Sequence, residues 1–182
     1  MALTKAIIVL TGSKQAKKLG DSVNKASKIL ALKDKLKSVD VKFAHKEYDY
    51  ITIIKSAPKD ASEARKLGGN MYNKFKNVAN EIYFDITTRH MNSINEGMAL
   101  ASYCFDKYKT DPKSVEFSTE DAGISRSVNF ARDLVSEPGN VLYPAEYAKR
   151  INEQLTPLGV TVKIYHQAQL EEMELNLLLS VG

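Results

Sequence analysis

Apolar positions along this chain alternate between two spacings. Short β-branched or aromatic runs at 6–10 (AIIVL), 50–55 (YITIIK), 81–86 (EIYFDI) and 114–117 (SVEF) read as strands. Between them the spacing becomes helical. Ala64, Leu67, Met71, Phe75 and Val78 mark one helix, with Asp60 or Ser62 available to cap it. Ile94, Met98, Ala101, Phe105 and Tyr108 mark another over 94–108, and Ile29, Leu32 and Leu36 a short amphipathic one before the second strand. Gly68 and Gly69 sit inside a helical pattern and not between a strand and a helix, so close helix packing accounts for them better than a nucleotide loop does. Strands alternating with helices predict βαβ crossovers and a parallel or mixed sheet covered by helices.

From residue 119 onward the pattern is helix, elbow, helix. Ser118 and Asp121 stand at capping-box spacing, and Ile124, Val128, Ala131 and Leu134 or Val135 follow as one apolar stripe. Pro138 lacks an amide donor and turns Glu137 away from helical geometry, while Gly139 and Asn140 tolerate a left-handed turn. Pro144 suits the first position of the next helix, whose apolar face is Ala148, Ile151 and Leu155. Thr156 to Gly159 closes it. Val160, Val162 and Ile164 then alternate as a half-buried strand, 167–173 reads as a short polar helix, and 175–181 is strongly apolar. Such a run needs an opposing core, and about 30 residues after the elbow are too few to build one, so the chain is expected to stop early in a second domain. The exposed apolar end predicts self-association.

Composition adds limits. A length of 182 residues with 43% hydrophobic positions suits one or two globular domains. No stretch reaches the roughly 20 apolar residues of a membrane helix, and MALTKAIIVLTGS is too short and too β-branched an apolar run for a signal peptide, so a cytoplasmic location is expected. The single cysteine, Cys104, excludes an internal disulfide; sharing a helical face with Gly97, Ala101 and Tyr108, it is expected in the core. Ten lysines lie between Lys14 and Lys46 against Asp21, Asp34 and Asp40. The surplus reads either as a solvated face or as a salt-sensitive surface for DNA phosphates, with few aromatics and little arginine for base readout.

Candidate chemistry is sparse. GSKQAKK after the first strand lacks the second glycine and the Lys-Ser/Thr pair of a phosphate loop. His45, His90 and His166 stand singly, with no metal-ligand spacing. Asp85 and His90 bracket a strand end, where a surface histidine is the simpler reading than an acid/base pair. No GxSxG occurs, and Cys104 has no local activating pattern.

The segment ARDLVSEPGNVLYPAEYAKRI, with GVTVKIYHQAQLEEMELNLLLSVG after it and INEGMALASYCFDKYKT before it, resembles the leucyl aminopeptidases, the cytosolic metallo-aminopeptidases of peptidase family M17. Tyr143 departs from the family's usual threonine, which caps the next helix; a missing cap costs about 1 kcal/mol. The resemblance implies a macro-domain-like α/β sandwich with a mixed sheet over residues 1–118, an interdomain helix and elbow over 119–143, and the start of a catalytic domain over 144–182. It further implies an enzyme that releases N-terminal residues, preferably leucine, with two divalent metal ions, manganese or zinc, in a homohexamer. The family's metal and catalytic ligands lie in segments like "KGxxFDxGG" and "NTDAEGR", and neither occurs here. No catalytic, metal-binding or cofactor-binding residue carries over, and the 182-residue chain alone is expected to be inactive. The competing expectation is a stand-alone basic α/β module that binds DNA or a protein partner.

Overall fold

The computed structural model describes residues 4–33, 35–42, 45–110, 116–117 and 123–181. The chain divides into two compact units, Met1–Asn129 and Phe130–Gly182.

In the first unit a five-stranded mixed sheet has the order β2-β3-β1-β4-β5. Its strands are β1 (Lys5–Leu10), β2 (Ser38–Lys42), β3 (Tyr50–Ile54), β4 (Glu81–Asp85) and β5 (Glu116–Phe117). β1 pairs in parallel with β3 and β4, β4 pairs in parallel with β5, and β2 runs antiparallel at the edge. Helices cover both faces, which is the α/β sandwich expected. On one side α1 (Lys14–Lys18) and α2 (Asp21–Leu32) place Ala16, Leu19, Val23 and Leu30 over Ile7, Val9, Ile51 and Ile53. On the other, α3 (Ala61–Phe75) and α4 (Met91–Ser102) place Ala64, Met71, Phe75, Ile94 and Met98 over Ala6, Ile8, Ile54 and Ile82. Alternate residues of β1 thus enter opposite cores, and Ala6 to Val9 are all buried because both sheet faces are roofed.

Glycine sets the α3–α4 approach. A Cβ on Gly68 would lie 2.0 Å from the Ile94 carbonyl oxygen, and one on Gly97 would lie 2.0 Å from that of Arg65. No side chain fits there, and the helix-packing reading of Gly68 holds. Asp60 is the cap of α3, its Oδ1 accepting from the Glu63 amide at 2.8 Å. The edge strand is tied to the sheet by a buried hydroxyl: Thr52 Oγ1 donates to Asp40 Oδ1 at 2.9 Å, and Lys74 Nζ pairs with the same carboxylate and donates to Thr52 Oγ1 at 3.2 Å.

Several expectations fail for definable reasons. The buried face of α2 is Val23, Ala26, Ser27 and Leu30, while Ile29 and Leu32 are exposed. The rows i, i+3, i+4 and i+7 ending at Leu30 meet the sheet, and Ile29 stands off that stripe. The helix expected over 94–108 ends at Ser102, whose Oγ donates back to the Ala99 carbonyl, and Tyr103 is extended. Cys104 therefore falls beyond the helix and is exposed, and Tyr108 is exposed as well. α5 (Gly123–Ser136) turns Ile124, Val128 and Val135 to solvent, while Leu134, the other residue expected at the end of the stripe, is buried. Its early buried position is Ser125, whose Oγ donates to the Glu96 carbonyl, and Asn129 Nδ2 donates to the Ala99 carbonyl. The Glu96 and Ala99 carbonyls of α4 thus meet polar side chains of α5, which an apolar stripe could not supply. The Ser118/Asp121 capping box and the first residues of the SVEF strand lie outside the described residues.

In the second unit the elbow leads into α6 (Pro144–Leu155), then a 3₁₀ turn at Thr156–Leu158, α7 (Gln167–Glu172) and α8 (Asn176–Leu179). Gly159 takes the left-handed conformation at φ 82° and ends the turn. Val160 to Ile164 form no strand: no other strand occurs among the described residues of this unit, and a single strand has no backbone to pair with.

Candidate functional site

Two places in the structure are candidates, one in each unit. In the second unit it is the elbow. The carbonyl of Pro138 accepts from the amides of Val141 and Leu142, both at 2.9 Å, which closes the turn without positive φ at Gly139 or Asn140. The expected left-handed turn is thus a tight helical one. Tyr143 stands at the N-cap of α6 and supplies no side-chain hydrogen bond, as its departure from threonine implied. Pro144 occupies the first turn, and Ala148, Ile151 and Leu155 are half-buried.

The elbow also holds a charged cluster that periodicity did not single out. The Glu137 side chain is 1% exposed, and Arg150 of α6 reaches it at 3.6 Å while donating from Nε to Glu146 Oε1 at 2.8 Å. Both carboxylates hold the Arg150 guanidinium above its usual range, Glu146 most strongly. The arginine spans the turn and fixes α6 against the residue that ends α5. The i, i+4 spacing of Glu146 and Arg150 was the available signal; the burial of Glu137 had none.

In the first unit the candidate is a groove of about 610 Å³ at the carboxyl end of β3. It runs between the start of β2, the 55–60 loop and the exposed side of α3. Crevices outside the carboxyl ends of strands are where open α/β sheets commonly take ligands. Ile54, Leu67 and Met71 contribute its apolar floor, and Lys37, Lys55, Lys59 and Lys66 its cations. Among the described residues Glu63 is the one acidic side chain lining it, and its Oε2 already accepts from the Lys59 amide at 3.0 Å. The Asp60 carboxyl beside it is held below its usual range, chiefly by the hydrogen bond from the Glu63 amide, with His90 and Lys66 adding to the effect.

The residues weighed from sequence lie apart from one another. His45 stacks on Tyr48 and accepts at Nδ1 from the Glu47 amide. His90 is the N-cap residue of α4 with Arg89 Nε 3.2 Å from its Nε2, and His166 is that of α7, its amide donating to Gln169 Oε1. Asp85 is exposed at the end of β4. Cys104 Sγ accepts from Lys109 Nζ at 3.0 Å. Ser13 of the GSKQAKK segment caps α1 by accepting from the Ala16 amide. Lys33, Lys35 and Lys37 are exposed. Among the described residues no three His, Cys, Asp or Glu side chains gather as a metal-holding group, and no helix is long and apolar enough to cross a membrane.

Residues 129–182 match the model of the cytosol aminopeptidase family's catalytic domain. A probable cytosol aminopeptidase of Ehrlichia ruminantium (strain Gardel) is 30% identical over 189 aligned positions, covering 85% of this chain and 38% of that protein. One of Methylorubrum populi is 37% identical over 114 positions, covering 53% and 23%, and one of Aquifex aeolicus is 35% identical over 115, covering 54% and 23%. The chain thus spans about two-fifths or less of the length of these relatives. Among solved structures, the bottromycin maturation enzyme BotP is similar in fold, with a TM-score of 0.61 at 18% identity over 94% of this chain and 41% of that one. BotP in complex with Mn gives 0.62. The elbow, the later part of α5 and all of α6 lie within the matched segment, and with the relatives aligned across the α/β unit they place this chain in the cytosol aminopeptidase family.

Proposed function

We propose that this chain forms the N-terminal α/β unit, the interdomain helix and the opening elements of a cytoplasmic, metal-dependent aminopeptidase that removes N-terminal residues, leucine preferred, from peptides. The observation that carries this reading is the match of residues 129–182 to the family's catalytic domain. The boundaries proposed for the parts are 1–118, 119–143 and 144–182, the first being macro-domain-like. The described residues do not fit two metal ions, since no group of three suitable side chains comes together. No step of peptide hydrolysis is assigned to them. Manganese or zinc would be held by family segments absent from this sequence, and when bound there would supply Lewis-acid chemistry to a peptide carbonyl and water. The chain's own part is then architecture, in a parent that assembles as a homohexamer.

The test is an assay on a leucine anilide with manganese or zinc added. The 182-residue chain should show no turnover, and the protein purified from its source cells should be active, much heavier than 20.3 kDa, and hexameric by light scattering. Turnover by the 182-residue chain, or a source protein of that mass with no activity, would overturn the proposal. A second reading rests on the exposed Lys33, Lys35 and Lys37: a basic module that holds duplex DNA. It requires salt-sensitive retention on DNA that weakens when these three become glutamate. Retention indifferent to both would remove it.

A further inference from the structure

The groove at the carboxyl end of β3 has features that architecture alone does not require. Its floor is apolar, with Ile54 at 5% and Met71 at 9% exposure, and Leu67 half-buried beside them. Above it stand Lys37 from the start of β2, Lys59 from the loop and Lys66 from α3, none of them in an ion pair among the described residues. Lys55 adds a fourth ammonium, tethered to the Lys33 carbonyl at 3.4 Å. Like charges carried on three separate elements repel one another, and an anionic partner relieves that repulsion.

The kind of anion follows from what the groove lacks and what borders it. Among the described residues no glycine and no arginine lines it, so they offer neither a close-approach loop of backbone amides nor a planar fork for phosphate. Ammonium groups on flexible stems suit carboxylates distributed along a chain, and the apolar floor suits aliphatic side chains between them. β2, whose first residue Ser38 lines the groove, is the edge of the sheet and among the described residues pairs with β3 alone. Its other side carries backbone groups that an extended segment could pair with. The volume of about 610 Å³ lies within the roughly 300–1,000 Å³ usual for ligand clefts, enough for a few residues of peptide.

We propose that this groove docks an extended, acidic segment of a partner protein, with carboxylates meeting Lys37, Lys59 and Lys66 and aliphatic side chains meeting Leu67 and Met71. The proposal is independent of the aminopeptidase reading. It is tested by fluorescence anisotropy with a labelled peptide of alternating glutamate and leucine, titrated with the 182-residue chain. Binding should be saturable. It should weaken about tenfold or more in K37E/K59E/K66E, and change by less than about twofold in the control K14E/K17E/K18E on α1. A glutamate–alanine peptide should bind more weakly than the glutamate–leucine one. The proposal is overturned by absent saturation, by equal losses in both triple variants, or by tighter binding of ATP or duplex DNA to the same lysines. Backbone chemical-shift mapping on the unaltered chain removes any dependence on how the variants fold. Shifts confined to residues 36–38 and 54–71 support the groove; shifts elsewhere, or none, refute it.

Discussion

In residues 1–129 the run Ala6 to Val9 puts four consecutive side chains at 2% exposure or less, whereas in residues 130–181 Leu177, Leu178 and Val181 stand at 87%, 58% and 86%. The second run is at least as apolar as the first. What differs is topology. A strand between two helical layers is covered on both faces, so every side chain finds a core. A short helix covers nothing beyond one stripe and needs an opposing surface to do even that. Apolar density shows that burial is wanted; pairing and layering decide where it happens.

The comparison breaks most visibly if a residue between the layers is cut back. Ile53→Ala should cost about 2–5 kcal/mol in chemical denaturation, since Ile53 is fully buried between β3 and α2. Leu177→Ala should change stability by less than about 0.5 kcal/mol. Glycines give the next contrast. Gly97→Ala drives a methyl onto the Arg65 carbonyl and should cost about 3 kcal/mol, while Gly139→Ala meets nothing within 4 Å and should be neutral or slightly stabilising. A Gly97→Ala protein as stable as the parent would refute the α3–α4 packing.

Within the second unit, Arg150→Ala should cost about 1–3 kcal/mol, because the buried Glu137 carboxylate loses the guanidinium 3.6 Å away. Replacing both residues by neutral ones should cost less than removing the arginine alone. A smaller effect sharpens the helix ends. Asp60→Ala should lower the melting temperature at neutral pH. The folded carboxyl of Asp60 titrates below its unfolded value, so its contribution is present above roughly pH 4 and lost as the pH falls through the folded pKa. The two proteins should therefore converge in acid, and a gap persisting there would count against the cap. Smallest in stability, though not in behaviour, is removal of residues 175–182. Denaturation should hardly change, while light scattering should show less self-association.

Where local rules and topology agreed, the sequence was readable. The three central strands, the Asp60 cap, the helix-packing role of Gly68 and the proline start of α6 all follow from single residues acting on their own backbone. The errors came where a partner decided the outcome. Ile29 and Leu32 are as apolar as Leu30, and only the position of the sheet says which is buried. Ser125 outranks Ile124 because carbonyls of α4 lie opposite it. Val160 to Ile164 alternate like a strand without a neighbouring strand to complete one. The edge strand β2 went unread although Val39 and Val41 alternate around Asp40, because so short an alternation in a lysine-rich stretch does not stand out until Asp40 is seen to meet Thr52 and Lys74. The groove was equally hidden, since Lys37 and Lys59 are far apart in the chain and near one another only after β2 and β3 pair.

The central claim is that residues 1–129 hold a self-sufficient layered core, while residues 144–181 hold helices that bury little surface. Amide hydrogen exchange on the 182-residue chain, read by mass spectrometry, tests it directly. The account predicts the slowest exchange in β1, β3, β4 and the α3–α4 pair, with α6 to α8 exchanging faster by orders of magnitude. Protection in α7 and α8 equal to that of β1 would contradict it.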